Sequence, residues 1–282
     1  MPAITSRSSA INYRHAFHAG NFADCTKHAL LVWVLRAMMR KATPLRVLDS
    51  HAGRGTYPLD SDEARRSGEW WEGVGRLMAV QDGPLADYVG LLRELGMPGT
   101  YPGSPAIIQS LLRAGDTLLL NELHPEDHAA LRKSMRGTPV HMRDAYECAR
   151  ALTPFPEKRG LLLFDPPFEA PDEFARLAAG MAQVWARARG HVQVAWYPIK
   201  HMAPVLAFHA AIRAAGIRDA IAAELWLREP LDASRLNGCG LLVLNPPFGF
   251  EAEGGLILAA LLERLSDGEP GAGTRLHRVA DE

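Results

Sequence analysis

The sequence predicts an α/β protein: a doubly wound, mainly parallel sheet of seven strands with a helical insertion between the first and second. Three observations predict it. Apolar strand-like runs alternate with helical patterns from residue 23 onward, the signature of strands joined by crossover helices. About sixty residues separate the first two strands, far more than one crossover helix requires. Four consecutive strands close on an acid, at Asp49, Glu122, Asp144 and Asp165.

Taken in order, Ala23 to Met39 reads as a helix and Leu45 to Asp49 as the first strand, opening into Ser50-His51-Ala52-Gly53-Arg54-Gly55. Approximately residues 56–115 make the insertion. Within it Trp70, Trp71, Val74, Leu77, Met78, Tyr88, Leu91 and Leu92 fall at roughly helical spacing between Glu63 and Leu95. The turn Tyr101-Pro102-Gly103-Ser104-Pro105 returns the chain, with Ser104 as N-cap and Pro105 at the first helical position. The remaining strands are Thr117 to Glu122, Pro139 to Asp144, Gly160 to Phe164, His191 to Tyr197, Ala222 to Leu227 and Gly240 to Leu244, with a helix from Pro171 to Ala188. The last fifteen or so residues, rich in Gly, Asp and Glu, are expected to be disordered.

At 282 residues and 48% hydrophobic, the chain can bury a large core as one domain, residues 1–282, enlarged by the insertion. No apolar stretch reaches membrane-spanning length and the N-terminus lacks an uninterrupted apolar signal segment, so a cytoplasmic enzyme with no membrane partner is expected. Cys25, Cys148 and Cys239 are odd in number and far apart, which fits neither a disulfide framework nor a zinc site; they read as reduced thiols. A net charge of −1 excludes a general, strongly basic nucleic-acid coat. Charge is uneven, however. Residues 1–41 hold Arg7, Arg14, Lys27, Arg36, Arg40 and Lys41 against the single acid Asp24, a net of +5. Such a segment can contact phosphates or can simply be a solvated helix face with a loose tail, and charge alone does not separate the two.

The tetrapeptide Asp165-Pro166-Pro167-Phe168 follows the apolar run from Gly160 to Phe164. These residues suit the holding of a planar amino group for methylation. An adenine amino group is a poor nucleophile because its lone pair is delocalised into the ring. The Asp165 carboxylate and the Pro166 carbonyl can each accept one of its N–H groups, drawing the nitrogen towards sp³ geometry, while Phe168 stacks on the base. A chance match is on the order of 1% in a chain of average composition, and a second copy stands at Asn245-Pro246-Pro247-Phe248. That copy follows the seventh strand, away from the crevice, and reads as a strand terminator.

Ligands of open α/β sheets bind beyond the carboxyl ends of the strands where strand order reverses, which in a methyltransferase-like sheet lies between the first and fourth strands. Gly53 and Gly55 let the backbone approach a cofactor there, although a lone Gly-x-Gly is not a full dinucleotide fingerprint. Glu122 is placed to accept from both ribose hydroxyls, Asp144 from the cofactor's adenine amino group, and Asp165 faces the reaction. Each acid alone is explained equally well as a helix cap or loop residue. Four in one cleft repel one another unless a cation offsets them, and a sulfonium ligand fits that field. His15, His18, His28 and His51 follow no zinc spacing, so no metal is expected; His28 and His51 are placed instead to hydrogen-bond the polar end of the cofactor.

Several motifs then carry a family resemblance. The run from Tyr13 to Asp24 (Tyr-Arg-His-Ala-Phe-His-Ala-Gly-Asn-Phe-Ala-Asp), Lys27-His28, Asp49 to Gly55, Tyr101 to Pro105, Glu122-Leu123-His124-Pro125, the Asp165 tetrapeptide, Trp196-Tyr197-Pro198 and Asn245-Pro246-Pro247 occur in one order from about residue 12 to 250. In this the chain resembles the bacterial 23S ribosomal RNA adenine-2030 N6-methyltransferase family. The resemblance implies a Rossmann-like methyltransferase that uses S-adenosylmethionine to methylate one exocyclic adenine nitrogen of 23S ribosomal RNA. It implies that His28, His51, Ser104, Glu122, Asp144, Ala145 and Asp165 contact the cofactor, with Asp165 orienting the target amine. Tyr13 approaches the RNA, Lys27 and His15 lie on the substrate side, and residues 1–41 close over the cofactor.

Where the family has glycine after the strand-three acid and tyrosine ending the tetrapeptide, this chain has Ala145 and Phe168. Ala145 keeps a backbone N–H, and Phe168 keeps a stacking face while losing a hydroxyl that neither proposed hydrogen bond uses. Residues 1–10 look like an extension before the family's start. Two other readings stay open: an adenine N6-methyltransferase acting on DNA, and a catalytically silent RNA-binding assembly factor. The chain is expected to act as a monomer.

Overall fold

The computed structural model describes residues 14–281. Tyr13 and residues 1–10 therefore lie outside the described residues. Asn21 starts helix α1 (Phe22–Met39), its side-chain oxygen accepting the amides of Ala23 and Asp24 at 3.0 Å each. That satisfies two donors the first turn leaves open. No glycine or proline interrupts the helix, and Asp24, Lys27 and His28 are buried along with its apolar residues. Burial around most of the circumference carries these three polar side chains, and Thr26, into the interior.

Strand β1 (Leu45–Asp49) follows, then β2 (Thr56–Pro58), α2 (Asp62–Ser67), a kinked helical segment Trp71–Gly75, α3 (Ala86–Glu94), β3 (Thr100–Pro102) and α4 (Ser104–Leu111). β2 and β3 pair antiparallel in a separate two-stranded sheet, for which the helical spacing gave no sign. The kink rests on Gly73, whose missing side chain lets the main chain lie against Gly20, and the Val74 amide donates to the Gly20 carbonyl at 2.8 Å. The stretch from residue 56 is thereby docked on the turn before α1.

The rest alternates: β4 (Thr117–Asn121), α5 (Pro125–Ser134), β5 (Val140–His141), α6 (Ala145–Leu152), β6 (Arg159–Phe164), α7 (Glu173–Arg187), β7 (Val192–Ile199), α8 (Met202–Ala214), β8 (Ala220–Trp226), β9 (Gly238–Leu244), α9 (Phe250–Leu265) and β10 (Gly273–Ala280). The main sheet has the order β10-β8-β9-β7-β6-β1-β4-β5. From β5 to β7 the strands are parallel; β9 runs against both β7 and β8. The chain moves outward from β1 to β5 and then returns to β6 on the other side of β1, so strand order reverses between β1 and β6.

Alternate residues of these strands feed two cores. Val47, Leu161, Leu163 and Val194 pack on the face that carries α1, α4 and α9. Leu48, Leu162, Phe164 and Ala195 pack on the opposite face, with Leu177 and Met181 of α7 and Val205 and Phe208 of α8. No described helix is long and apolar enough to cross a membrane.

The sheet has eight strands where the sequence reading gives seven. The eighth, β10, forms from residues expected to be disordered. Gly, Asp and Glu flank it and dominate the local composition, but Leu276 and Val279 pack inward and Arg275 reaches Glu224 of β8. Glu224 is fully buried; one of its oxygens accepts from Arg275 Nε at 2.9 Å and the other from the Tyr197 hydroxyl at 2.9 Å. Replacing Arg275 with alanine is expected to lower stability by about 2 kcal/mol, less than for a fully buried pair because the guanidinium is partly exposed. An unshifted urea midpoint would show that the pair does not fasten the strand.

Two smaller corrections concern ends. The third strand shortens to Val140–His141. The N-cap of α4 is Gly103, and Ser104 already lies in the helix. Gly103 fits because a side chain there would crowd the Gly55 carbonyl, which accepts the Gly103 amide at 2.9 Å.

Candidate active site

A cavity of about 1310 Å³ opens at the carboxyl edge of the sheet, lined by residues that follow β4, β1, β6 and β7 and by the first turns of α1. Its wall includes an ion-paired triad. Lys27 Nζ lies 2.6 Å from Asp165 Oδ2 and 2.8 Å from Asp24 Oδ1. Asp24 Oδ2 in turn accepts the Gly20 amide at 2.9 Å and meets His15 Nε2 at 3.0 Å. Lys27 and Asp24 are almost wholly buried, whereas Asp165 reaches the cavity surface. Burial works against the Lys27 charge, but Asp165 and Asp24 outweigh it and hold the ammonium well above its ordinary range. Burial likewise opposes ionisation of Asp24, and His15 and Lys27 outweigh it, keeping the carboxyl well below its ordinary value.

The Asp165 amide donates to His51 Nδ1 at 3.2 Å. Burial pushes the His51 imidazole down to about 4, so at neutral pH the ring is uncharged and its proton sits on Nε2. His28 is the second neutral histidine, lowered well below its ordinary value by burial and then by Lys27. Its Nδ1 lies 2.7 Å from the Tyr101 hydroxyl, itself 3.1 Å from that of Tyr88. Nε2 of His28 is buried without a partner among the described residues, and the side chain lines the cavity. Ser104 stands nearby on the first turn of α4, also lining the cavity. Burial pushes Asp49 up to about 7, with Ser104 opposing, and its Oδ2 is unpartnered among the described residues.

Glu122, one residue beyond β4, accepts the Gly53 amide at 2.8 Å and the His124 amide at 2.7 Å, one on each oxygen. Each oxygen keeps a second lone pair. Burial raises Glu122 above its ordinary value. Gly53 adopts φ 60° and has no room for a side chain beside the Tyr57 hydroxyl, so its backbone forms the cavity wall. Asp144 is the N-cap of α6: Oδ1 accepts the amides of Tyr146 and Glu147, and Oδ2 pairs with Arg176 at 2.8 Å. Asp144 thus has a folding role as well as a place in the cavity wall, next to the buried Ala145.

Phe168 adopts φ 49°, a left-handed conformation that turns the tetrapeptide sharply. Its ring packs 4.7 Å from Phe174 and meets Trp196 edge-on at 5.8 Å, and Phe168 and Trp196 both line the cavity. The second tetrapeptide is built differently. There Asn245 takes the positive φ and its amide donates to the Arg189 and His191 carbonyls at 2.6 and 2.7 Å. Because β9 is antiparallel to β7, Asn245 emerges at the opposite edge, and Phe248 is 98% exposed.

The cavity therefore gathers His28, His51, Ser104, Glu122, Asp144, Ala145, Asp165, Lys27 and Phe168. Sequence reasoning missed the residues that hold them. Asp24 carried a signal, as the single acid in a basic segment one helical turn before Lys27. Asn121 carried little: its buried amide donates to the Ser50 and Arg143 carbonyls at 3.0 Å each, tying together the chain after β1, β4 and β5. No group of three or more His, Cys, Asp and Glu among the described residues is arranged to hold a metal.

A family model described as "Ribosomal RNA large subunit methyltransferase D, RlmJ" matches residues 42–278. Ribosomal RNA large subunit methyltransferase J of Escherichia coli (strain K12) is 34% identical over 263 residues, covering 90% of this chain and 94% of the relative. The protein of the same name from Haemophilus influenzae is 34% identical over 264 residues, with the same coverage. A crystal structure of a Legionella pneumophila protein superposes with a TM-score of 0.83 at 30% identity, covering 92% of this chain and 98% of that one.

Proposed function

The chain belongs to the family described as ribosomal RNA large subunit methyltransferase D, RlmJ, and on that premise we propose that it transfers a methyl group from S-adenosylmethionine to N6 of one adenine, of the adenine-2030 type, in 23S ribosomal RNA. The observation that carries the chemistry is the division of labour at Asp165. Oδ2 is committed to Lys27, while Oδ1 and the Pro166 carbonyl have no partner among the described residues, and both residues line the cavity. Two acceptors side by side match the two hydrogens of a planar amine. Phe168, with Trp196 behind it, offers an aromatic surface for a base taken out of its stack.

The residues of the wall fit the cofactor. His28 Nε2 is an unpartnered polar atom, Gly53 offers bare backbone, and Glu122 retains acceptor capacity on both oxygens. The surrounding carboxylates favour a cation. When bound, S-adenosylmethionine supplies an electrophilic methyl group on a positively charged sulfur. Glu122 would hold ribose hydroxyls, His28, His51 and Ser104 the polar tail, and Asp144 with the Ala145 amide the adenine. Lys27 fixes the Asp165 rotamer from below, so that orientation is set before the amine arrives. Asp165 need not take a proton during transfer, because the nitrogen becomes acidic only once methylated.

Replacing His28 with alanine is expected to weaken S-adenosylmethionine binding about tenfold, the scale of one hydrogen bond. Calorimetric titration would read it, and an unchanged affinity would remove His28 from the cofactor site. The function itself is tested with labelled S-adenosylmethionine and an unmodified large-subunit ribosomal RNA transcript, with digestion to nucleosides. N6-methyladenosine as the ribonucleoside is expected. Transfer only to DNA would favour the deoxyribonucleic substrate, and no transfer to either would leave a silent binding protein.

A further inference from the structure

The cavity is larger than a cofactor and one base require, since ligand pockets generally measure about 300–1,000 Å³, and its charge is unevenly distributed. Every carboxylate in its lining belongs to segments other than the β7–β9 wing; that wing contributes Trp196, Pro198, Lys200, Leu227, Arg228, Arg235 and Leu236, three cations and no acid. Glu269 lies just outside, bound to Arg228 at 2.6 Å and 4.0 Å from Arg235. Asp267 is tied to Arg76 at 2.7 Å. Lys200 makes no ion pair among the described residues and is exposed.

Register places it relative to the chemistry. Phe164 of β6 pairs with Ala195 of β7, so Asp165 and Trp196 stand level. β7 then continues past the end of β6, and every second residue, Trp196, Pro198 and Lys200, lines the cavity. At about 3.3 Å per residue, Lys200 stands roughly 13 Å beyond the level of Asp165. The fully buried Asn237 fixes that end of the strand: its Nδ2 donates to the Lys200 carbonyl at 2.7 Å and to the Asp232 carbonyl at 2.8 Å, joining Lys200 to the loop that carries Arg228 and Arg235.

We propose that Lys200, held by Asn237 and sharing the cavity wall with Arg235, is the phosphate-binding end of a nucleotide subsite for the RNA strand carrying the target adenine. The inference rests on the proposed function. An adenine held at Asp165 and Phe168 directs its sugar and phosphodiester along the β7 wall, away from the carboxylates that suit a cation. Lys200 then meets the phosphate as a point charge. Such a contact positions the strand without reading sequence.

Steady-state methylation of an unmodified large-subunit ribosomal RNA transcript by wild type, Lys200→Ala, Lys200→Glu and Lys200→Arg tests it, together with S-adenosylmethionine titrations of each protein. The alanine variant should raise the KM for RNA about tenfold, more for glutamate, with kcat at saturating RNA within about twofold and cofactor affinity unchanged. Its dependence of log KM on log salt should be shallower by about one, the signature of one lost phosphate contact. Arginine should restore both KM and slope. A Lys200→Ala protein with wild-type KM and salt slope, beside a wild type that methylates the transcript, overturns the subsite and leaves the function standing. A wild type that transfers no methyl group overturns the function, and the subsite with it.

Discussion

Asp165→Ala is expected to lower the rate of methyl transfer by at least about 10³-fold while the protein stays folded. The loss combines two effects. One acceptor for the target amine disappears, and Lys27 is left facing the cavity with only Asp24 as its partner. Removing one preorganised polar group at a reacting centre typically costs about 10²–10³-fold, and a misplaced neighbouring cation adds to it. Asp165→Asn keeps the shape and one carbonyl oxygen, so a loss of about 10²-fold is expected from it. Single-turnover transfer of labelled methyl groups separates these values from binding. Turnover within tenfold of wild type for the alanine variant would reject Asp165 as the group that orients the amine.

The reason the place of Asp165 in the cavity wall could be read from sequence is that it ends a strand. Its apolar run has a clear start and stop, the tetrapeptide marks the stop, and the topology puts that stop beside β1. Glu122 and His51 were legible on the same logic. Their partners were not. Lys27 and Asp165 are 138 residues apart and meet only because α1 packs across the sheet. Nothing local to either residue announces that contact. The edge strand β10 was hidden for a related reason, because its order comes from pairing with β8 and from Arg275 reaching a buried Glu224, while its flanks have the composition of a tail. Asp144 illustrates the opposite limit: its capping of α6 was foreseeable from residue type alone, yet its pairing with Arg176 depends on where α7 lies. Local chemistry fixes what a residue can do, and packing decides which partner it does it with.

Lys27→Met should be the most destabilising of the substitutions considered, at about 3–5 kcal/mol, because it leaves Asp24 buried with a full charge and no ammonium beside it. The pH dependence follows from the two shifts. Asp24 is depressed, so its contribution is present above its unfolded pKa of roughly 4 and is lost as pH falls through the lower folded value. Lys27 is raised, so its contribution is complete below its unfolded pKa of roughly 10.4 and is lost only as pH rises through the higher folded value. Between those limits the difference between wild type and Lys27→Met should be flat, and below about pH 4 it should shrink as Asp24 takes up a proton. Adding Asp24→Asn should recover part of the loss at neutral pH, since the buried charge left without its ammonium is then gone. Urea unfolding of wild type, Lys27→Met and the Lys27→Met/Asp24→Asn double variant from pH 3 to pH 9 measures all of this. If Lys27→Met cost under 1 kcal/mol at pH 7, or if its cost grew toward acid, the ammonium would not be neutralising a buried pair, and the posture of Asp165 would need another cause.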